Sequence, residues 1–182
     1  MTRLRSPVDE NDHIQGAPTA ELTLVQYGDY QCPYCGEAYA HVKAAQQHFG
    51  KRMRFVFRNF PLTEVHPFAL AAAETAEAAG AEGKYWVMHD ALYENQRRFS
   101  RRFFLELALQ LGLERDRFMS DIDSGTYRRR IRDDFLGGVR SGVNGTPCFF
   151  IDGERYDGSY YAEPLIAALE HANHGLTTAA RP

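Results

Sequence analysis

The tetrapeptide Cys32-Pro33-Tyr34-Cys35 constrains this chain more than any other feature, because of what lies on either side of it. Leu22 to Tyr27 is a short run of β-forming residues that ends at Gly28 and reads as a buried strand. Pro33 suits the first position of a helix, where its missing N–H would be unpaired in any case. Ala38, Val42 and Ala45 continue an apolar stripe at helical spacing as far as Gly50. From Met53 to Phe57 the alternation of Met, Arg, Phe, Val and Phe marks a second strand. Strand, helix and strand in this order predict a βαβ unit with parallel strands, and both cysteines then sit where the first strand hands over to the helix.

Two thiols at i and i+3 about a helix start are close enough to bridge, and the first stands at the exposed end. Unpaired N–H groups and the positive end of the helix dipole favour a thiolate at Cys32 and lower its pKa. Cys32 is therefore the expected nucleophile and Cys35 the resolving thiol, in an exchange that runs through a mixed disulfide. The competing reading is half of a zinc site, since cysteines at this spacing are common in metal ribbons. That site needs two more ligands; Cys148 and a histidine could supply them, but no second cysteine pair is present. Pro33 at a strand-to-helix junction favours redox chemistry, with no metal and no organic cofactor.

Three cysteines cannot all pair within one chain, so they do not staple a secreted scaffold. Of 182 residues, 44% are apolar and 25% charged, which predicts one folding unit with its own core. A net charge of -3 gives no basis for nucleic acid as a partner. Met1 to Ala20 is polar and lacks an apolar signal core, and no run reaches membrane-spanning length. With Met1 as the natural start, these readings predict a cytoplasmic protein without membrane insertion.

Residues 1–20 read as a polar arm, and 66–140 as a helical insertion with no strand pattern. Pro67 opens an alanine-rich helix ending near Gly80, and Trp86, His89 and Tyr93 recur at helical spacing. Ser100 is placed to cap a helix whose apolar face is Phe104, Leu107, Ala108 and Leu111. Thr126 is the expected cap of another that ends at Gly137 and Gly138. The strand pattern returns at Cys148 to Ile151, and Asp152-Gly153 is a two-residue hairpin turn into Glu154 to Tyr156. Pro164 begins a last helix with Leu165, Ile166, Leu169 and Ala172 on one face, before a tail at 176–182. Gly145-Thr146-Pro147 precedes the returning strand; proline cannot donate to a sheet, so a special turn, with a cis bond as one form, is expected there.

Taken together, the dithiol, the helical insertion and the proline turn resemble the DsbA-like branch of the thioredoxin superfamily. Tyr27-Gly28-Asp29, Phe60-Pro61-Leu62, His66-Pro67, and Trp86, Met88, His89 and Asp90 are similar to bacterial thioredoxin-like domains that stand alone or are fused to sodium/proton antiporters. The resemblance covers roughly residues 13–172. It implies an α/β thioredoxin-like fold, built from 21–65 and 141–175, with an inserted all-helical subdomain at 66–140. It also implies a cis Pro147 beside the cysteines, with the backbone of Thr146 pairing with an extended substrate. Pro33, Tyr34, Thr146 and Pro147 are thus the expected substrate-binding residues. The implied activity is protein thiol-disulfide exchange, with a separate redox partner for regeneration. A glutathione-dependent enzyme is the nearest rival, because Cys-Pro-Tyr-Cys also resembles glutaredoxins, which are shorter and lack the insertion. A non-catalytic module that binds peptides or zinc is the rival from another class.

Two positions depart from the family pattern. Where related domains often carry a buried Glu, six residues before the first cysteine, this chain has Gln26, read as a satisfied core amide, with Asp29 or water as substitute base. Cys148, where Thr or Ser is usual, is read as a packed, inert thiol. His66 and His89 are assigned structural roles. Arg97, Arg98, Arg101 and Arg102, and Arg128, Arg129, Arg130 and Arg132, are read as solvated helix faces.

Overall fold

A computed structural model describes residues 2–179. Five strands form one sheet: β1 (His13–Gln15), β2 (Leu22–Gly28), β3 (Met53–Asn59), β4 (Cys148–Ile151) and β5 (Glu154–Tyr156), in the order β1-β3-β2-β4-β5. Only β2 and β3 run parallel, as the βαβ reading requires; the other pairs are antiparallel. β2 is central and buried along its whole length, which explains why it reads as a continuous run with little alternation. The turn from β4 to β5 is made by Asp152 and Gly153, both at positive φ, as the sequence predicts.

Seven helices flank the sheet: α1 (Pro33–Phe49), α2 (Ala69–Ala81), α3 (Tyr85–Glu94), α4 (Arg101–Gln110), α5 (Arg115–Ser124), α6 (Arg128–Arg140) and α7 (Ala162–Ala179). Leu22, Leu24, Phe55, Phe57 and Phe149 face the larger core, which Ala38, Val42 and Ala45 of α1, Met88 and Leu92 of α3, and Leu165 and Leu169 of α7 complete. Val25, Tyr27, Val56, Cys148 and Phe150 face the other way, under Phe135 of α6 and Leu4 and Val8 of the arm.

The arm is more structured than a polar sequence suggests. Thr2 and Leu4 hydrogen-bond to the β4–β5 hairpin, and the chain then crosses the sheet face to pair as β1 with β3. The strand was illegible because its three residues include one apolar side chain, Ile14. Helix α5 is a second addition. Thr126 belongs to its end and does not cap α6: its N–H bonds the Asp121 carbonyl beyond a left-handed Gly125, and no side chain caps Tyr127. Nor does α6 stop at Gly137 and Gly138, which lie inside it. A Cβ on Gly138 would fall 2.8 Å from the Phe60 ring and 3.0 Å from that of Tyr27, so the glycine permits close helix–sheet approach. Of the expected tail, residues 176–179 continue α7, and 180–182 lie outside the described residues.

Candidate active site

Cys32 caps the N-terminus of α1 in an extended conformation, with Pro33 as the first helical residue. Its N–H bonds the Asp29 carbonyl at 3.2 Å and its own carbonyl accepts from Gly36 at 3.1 Å, so the loop closes tightly into the helix. The proline turn arrives beside it through sheet register. Because β4 pairs Cys148 with Tyr27, the residues just before Cys148 overhang the loop that follows β2. The protonated Cys32 thiol donates to the Thr146 carbonyl at 3.4 Å, and the Thr146–Pro147 bond is cis. Cys32, Cys35, Thr146 and Pro147 are therefore neighbours in space, with Pro33 and Tyr34 exposed above them.

The Cys32 thiol is lowered to about 6, first by a hydrogen bond from the Cys35 thiol, then by the Thr146 side chain and the free backbone N–H groups of Cys35 and Tyr34. Partial burial opposes these effects. Cys35 moves the opposite way, well above an ordinary thiol, because it is enclosed and faces the Cys32 charge. Both cysteines are free, and their separation in acidity is what a nucleophile and a resolving thiol need. One expectation is corrected: Cys32 is only 3% exposed, because the Thr146 turn lies against its sulfur.

Two residues named from the sequence, Asp29 and His66, and two that were not, Gln31 and Gln96, hold this loop. The Asp29 carboxylate, fully buried, accepts from the N–H of Gln31 at 2.7 Å, the N–H of Leu62 at 2.9 Å and His66 Nδ1 at 2.8 Å. From the helical insertion, Gln96 Nε2 donates to the carbonyls of Tyr30 and Cys32, each at 2.8 Å. The Gln31 side chain accepts from the Phe68 N–H at 2.6 Å. Asp29, named as a substitute base, is engaged here as an acceptor that ties the loop together. Gln31 is signalled only by its proximity in sequence, and nothing local marks Gln96, which lies more than sixty residues away.

Gln26 is buried, but its Nε2 has no hydrogen-bond partner, which corrects the reading of a satisfied amide. The Tyr93 hydroxyl, buried near the dithiol, is likewise unpartnered. Cys148 is buried against Tyr27 and Val8's side of the sheet, and burial raises its pKa. His89 packs among Tyr30, Phe57 and Trp86 and accepts from or donates to the Tyr30 hydroxyl through Nδ1 at 3.1 Å. Arg130 departs from the reading of a solvated face: it is half-buried and lies 2.8 Å from the buried carboxylate of Glu77, whereas Arg128 reaches buried Glu74 at 2.8 Å from a position that stays solvent-exposed. Among the described residues, no third cysteine, histidine or carboxylate joins the dithiol in a metal-binding group.

A mixed sheet, a dithiol at the head of α1 and a cis-proline turn against it define a DsbA-like thioredoxin domain with a helical insertion. The chain belongs to the family described as Thioredoxin, whose model matches residues 8–171. It is similar to a thioredoxin-like oxidoreductase from Silicibacter pomeroyi DSS-3, at 28% identity and a TM-score of 0.78, over 91% of this chain and 94% of that one. It has the fold of α-DsbA1 from Wolbachia pipientis, with a TM-score of 0.82 at 18% identity, over 98% of each chain. In sequence it is 43% identical, over 94% of its length, to part of the Na(+)/H(+) antiporter NhaA 1 of Salinispora arenicola (strain CNS-205). The chain spans about a quarter of the length of the curated relatives it matches, 26% in that case. Among the described residues no helix is long and apolar enough to cross a membrane.

Proposed function

We propose that this protein exchanges disulfides with protein or peptide substrates through Cys32 and Cys35. The observation that carries this reading is the placing of two free thiols at one helix start, with the Cys32 thiol 3.4 Å from the Thr146 carbonyl. Their acidities are opposed accordingly, Cys32 lowered to about 6 and Cys35 raised. The Cys32 thiolate attacks one sulfur of a substrate disulfide, forming a mixed disulfide and releasing a substrate thiolate that takes up a proton. Cys35 then loses its proton and attacks the Cys32 sulfur. The Cys32–Cys35 disulfide forms, the second substrate thiolate leaves, and two electrons have passed to the substrate. Run backwards, the same steps oxidise a substrate dithiol. Regeneration needs a separate dithiol or disulfide partner, and Thr146 and Pro147 supply the edge against which an extended substrate would lie.

The direct test is redox titration of Cys32 and Cys35 against glutathione, followed by turnover of a disulfide-containing protein substrate. A single two-electron transition, with turnover abolished in Cys32→Ser, is expected. A protein whose two thiols never form a disulfide under oxidising glutathione would overturn the proposal.

A further inference from the structure

The two sides of the α1 tip differ in charge and chemistry. Tyr34, Glu37 and His41 recur at i, i+3 and i+7 and so share one side of the helix. Glu37 accepts from the hydroxyls of Tyr160 and Tyr161, both at 2.7 Å, through its two carboxylate oxygens. Those two rings stack on each other at 5.5 Å, and His41 lies 4.7 Å from the Tyr161 ring. Tyr34 is 63% exposed and Tyr161 50% exposed, so two large aromatic faces stand in solvent on this side of α1. No Lys or Arg occurs between Tyr30 and His41 or between Tyr156 and Glu163, whereas Glu37 and Glu163 do; Arg155, just outside, pairs with Asp157 at 2.6 Å. Gly36 points from the opposite side of the helix, toward Gln96, which Arg97 and Arg98 follow.

We propose that Tyr34, Glu37, Tyr160 and Tyr161 receive a lysine or arginine side chain of the substrate, one flanking the cysteine being exchanged. The inference rests on the oxidoreductase reading and adds a substrate class to it. Glu37 keeps its negative charge while its two phenol donors hold it in place, and each oxygen retains lone-pair capacity for a third donor. An ammonium or guanidinium over the flanking rings gains a cation–π contribution as well. A carboxylate in the same place meets like charge and aromatic faces, and is disfavoured. The site begins two residues from the reacting cysteine, since Tyr34 is a member of the Cys32–Cys35 tetrapeptide.

The test compares three synthetic peptides, each with one intramolecular disulfide and differing only in the residue next to the attacked cysteine: Lys, Gln or Glu. Stopped-flow measurement of mixed-disulfide formation with the reduced protein gives a rate constant for each. The Lys peptide is expected to react about three- to tenfold faster than the Glu peptide at low salt, as one exposed ion pair plus one cation–π contact would give. That ratio should fall as salt is raised. Glu37→Gln should cut it below about twofold, and Glu170→Gln, on α7 beside His48 at the far end of α1, should keep it. Equal rates for all three peptides with the unmodified protein would overturn the cation preference alone. No reaction with any peptide would overturn the oxidoreductase reading and this inference with it.

Discussion

At the scale of single residues, the site is a balance of small effects on one sulfur. A thiol whose folded pKa is about 6, against about 8.5 unfolded, adds stability that is present above pH 8.5 and lost as pH falls through 6. Asp134, raised to about 7 by burial, and His89, held well below its ordinary value by burial, also make stability depend on pH in this window. The expected outcome is therefore a difference: the excess urea resistance of the reduced protein over Cys32→Ser should shrink as pH falls from 8.5 to 5.5. Alkylation by iodoacetamide should follow the same ionisation: Cys32 reacts with a midpoint near pH 6, while Cys35, enclosed and raised, stays unmodified in the folded protein. Mass mapping of the alkylated peptides checks both statements. Gln96 makes a different contribution, because it ties two carbonyls of the loop to the insertion. Gln96→Ala leaves both without that donor and should cost about 1–3 kcal/mol in urea unfolding. It should also shift the pH midpoint of Cys32 alkylation, which a purely distant packing defect would not move.

At the scale of elements, what was legible is what is local. The β2–α1–β3 unit is contiguous, so strand composition, Pro33 and the helical stripe all mark it, and with it the dithiol. The Asp152-Gly153 hairpin is readable for the same reason. The proline turn gains meaning only in company with the cysteines, because the register of β4 on β2 brings it there and no nearby residue records that register. β1 and α5 went unread: one is short and mostly polar, the other is closed by a left-handed glycine next to a threonine that looks like a cap. Gly138 shows how a residue that resembles a stop can be a contact. Glycine to alanine inside a helix ordinarily gains up to about 1 kcal/mol. Gly138→Ala should instead destabilise by about 1–3 kcal/mol, through collision with Phe60 and Tyr27, and Gly137→Ala, whose nearest contacts are 3.3 and 3.5 Å, should cost less. Thermal unfolding of the two variants side by side would decide this.

At the scale of the whole molecule, one buried carboxylate joins pieces far apart in the chain. Glu77 of α2 accepts from His13 of β1 at 2.9 Å and from Asn59 of β3 at 2.7 Å, and forms an ion pair with Arg130 of α6 at 2.8 Å. Its removal leaves a half-buried cation and two polar groups without their partner. Glu77→Ala should cost about 3–5 kcal/mol in urea unfolding, the range for breaking a buried pair from one side.

The helical insertion also orders events in time. Residues 22–59 hold a strand, the dithiol helix and a parallel partner strand, and these leave the ribosome together. Thr146, which lies against the Cys32 sulfur, comes 114 residues after it, a delay on the order of ten seconds at about 5–20 residues per second. For that interval a nascent chain presents its reactive pair without the roof that later covers it.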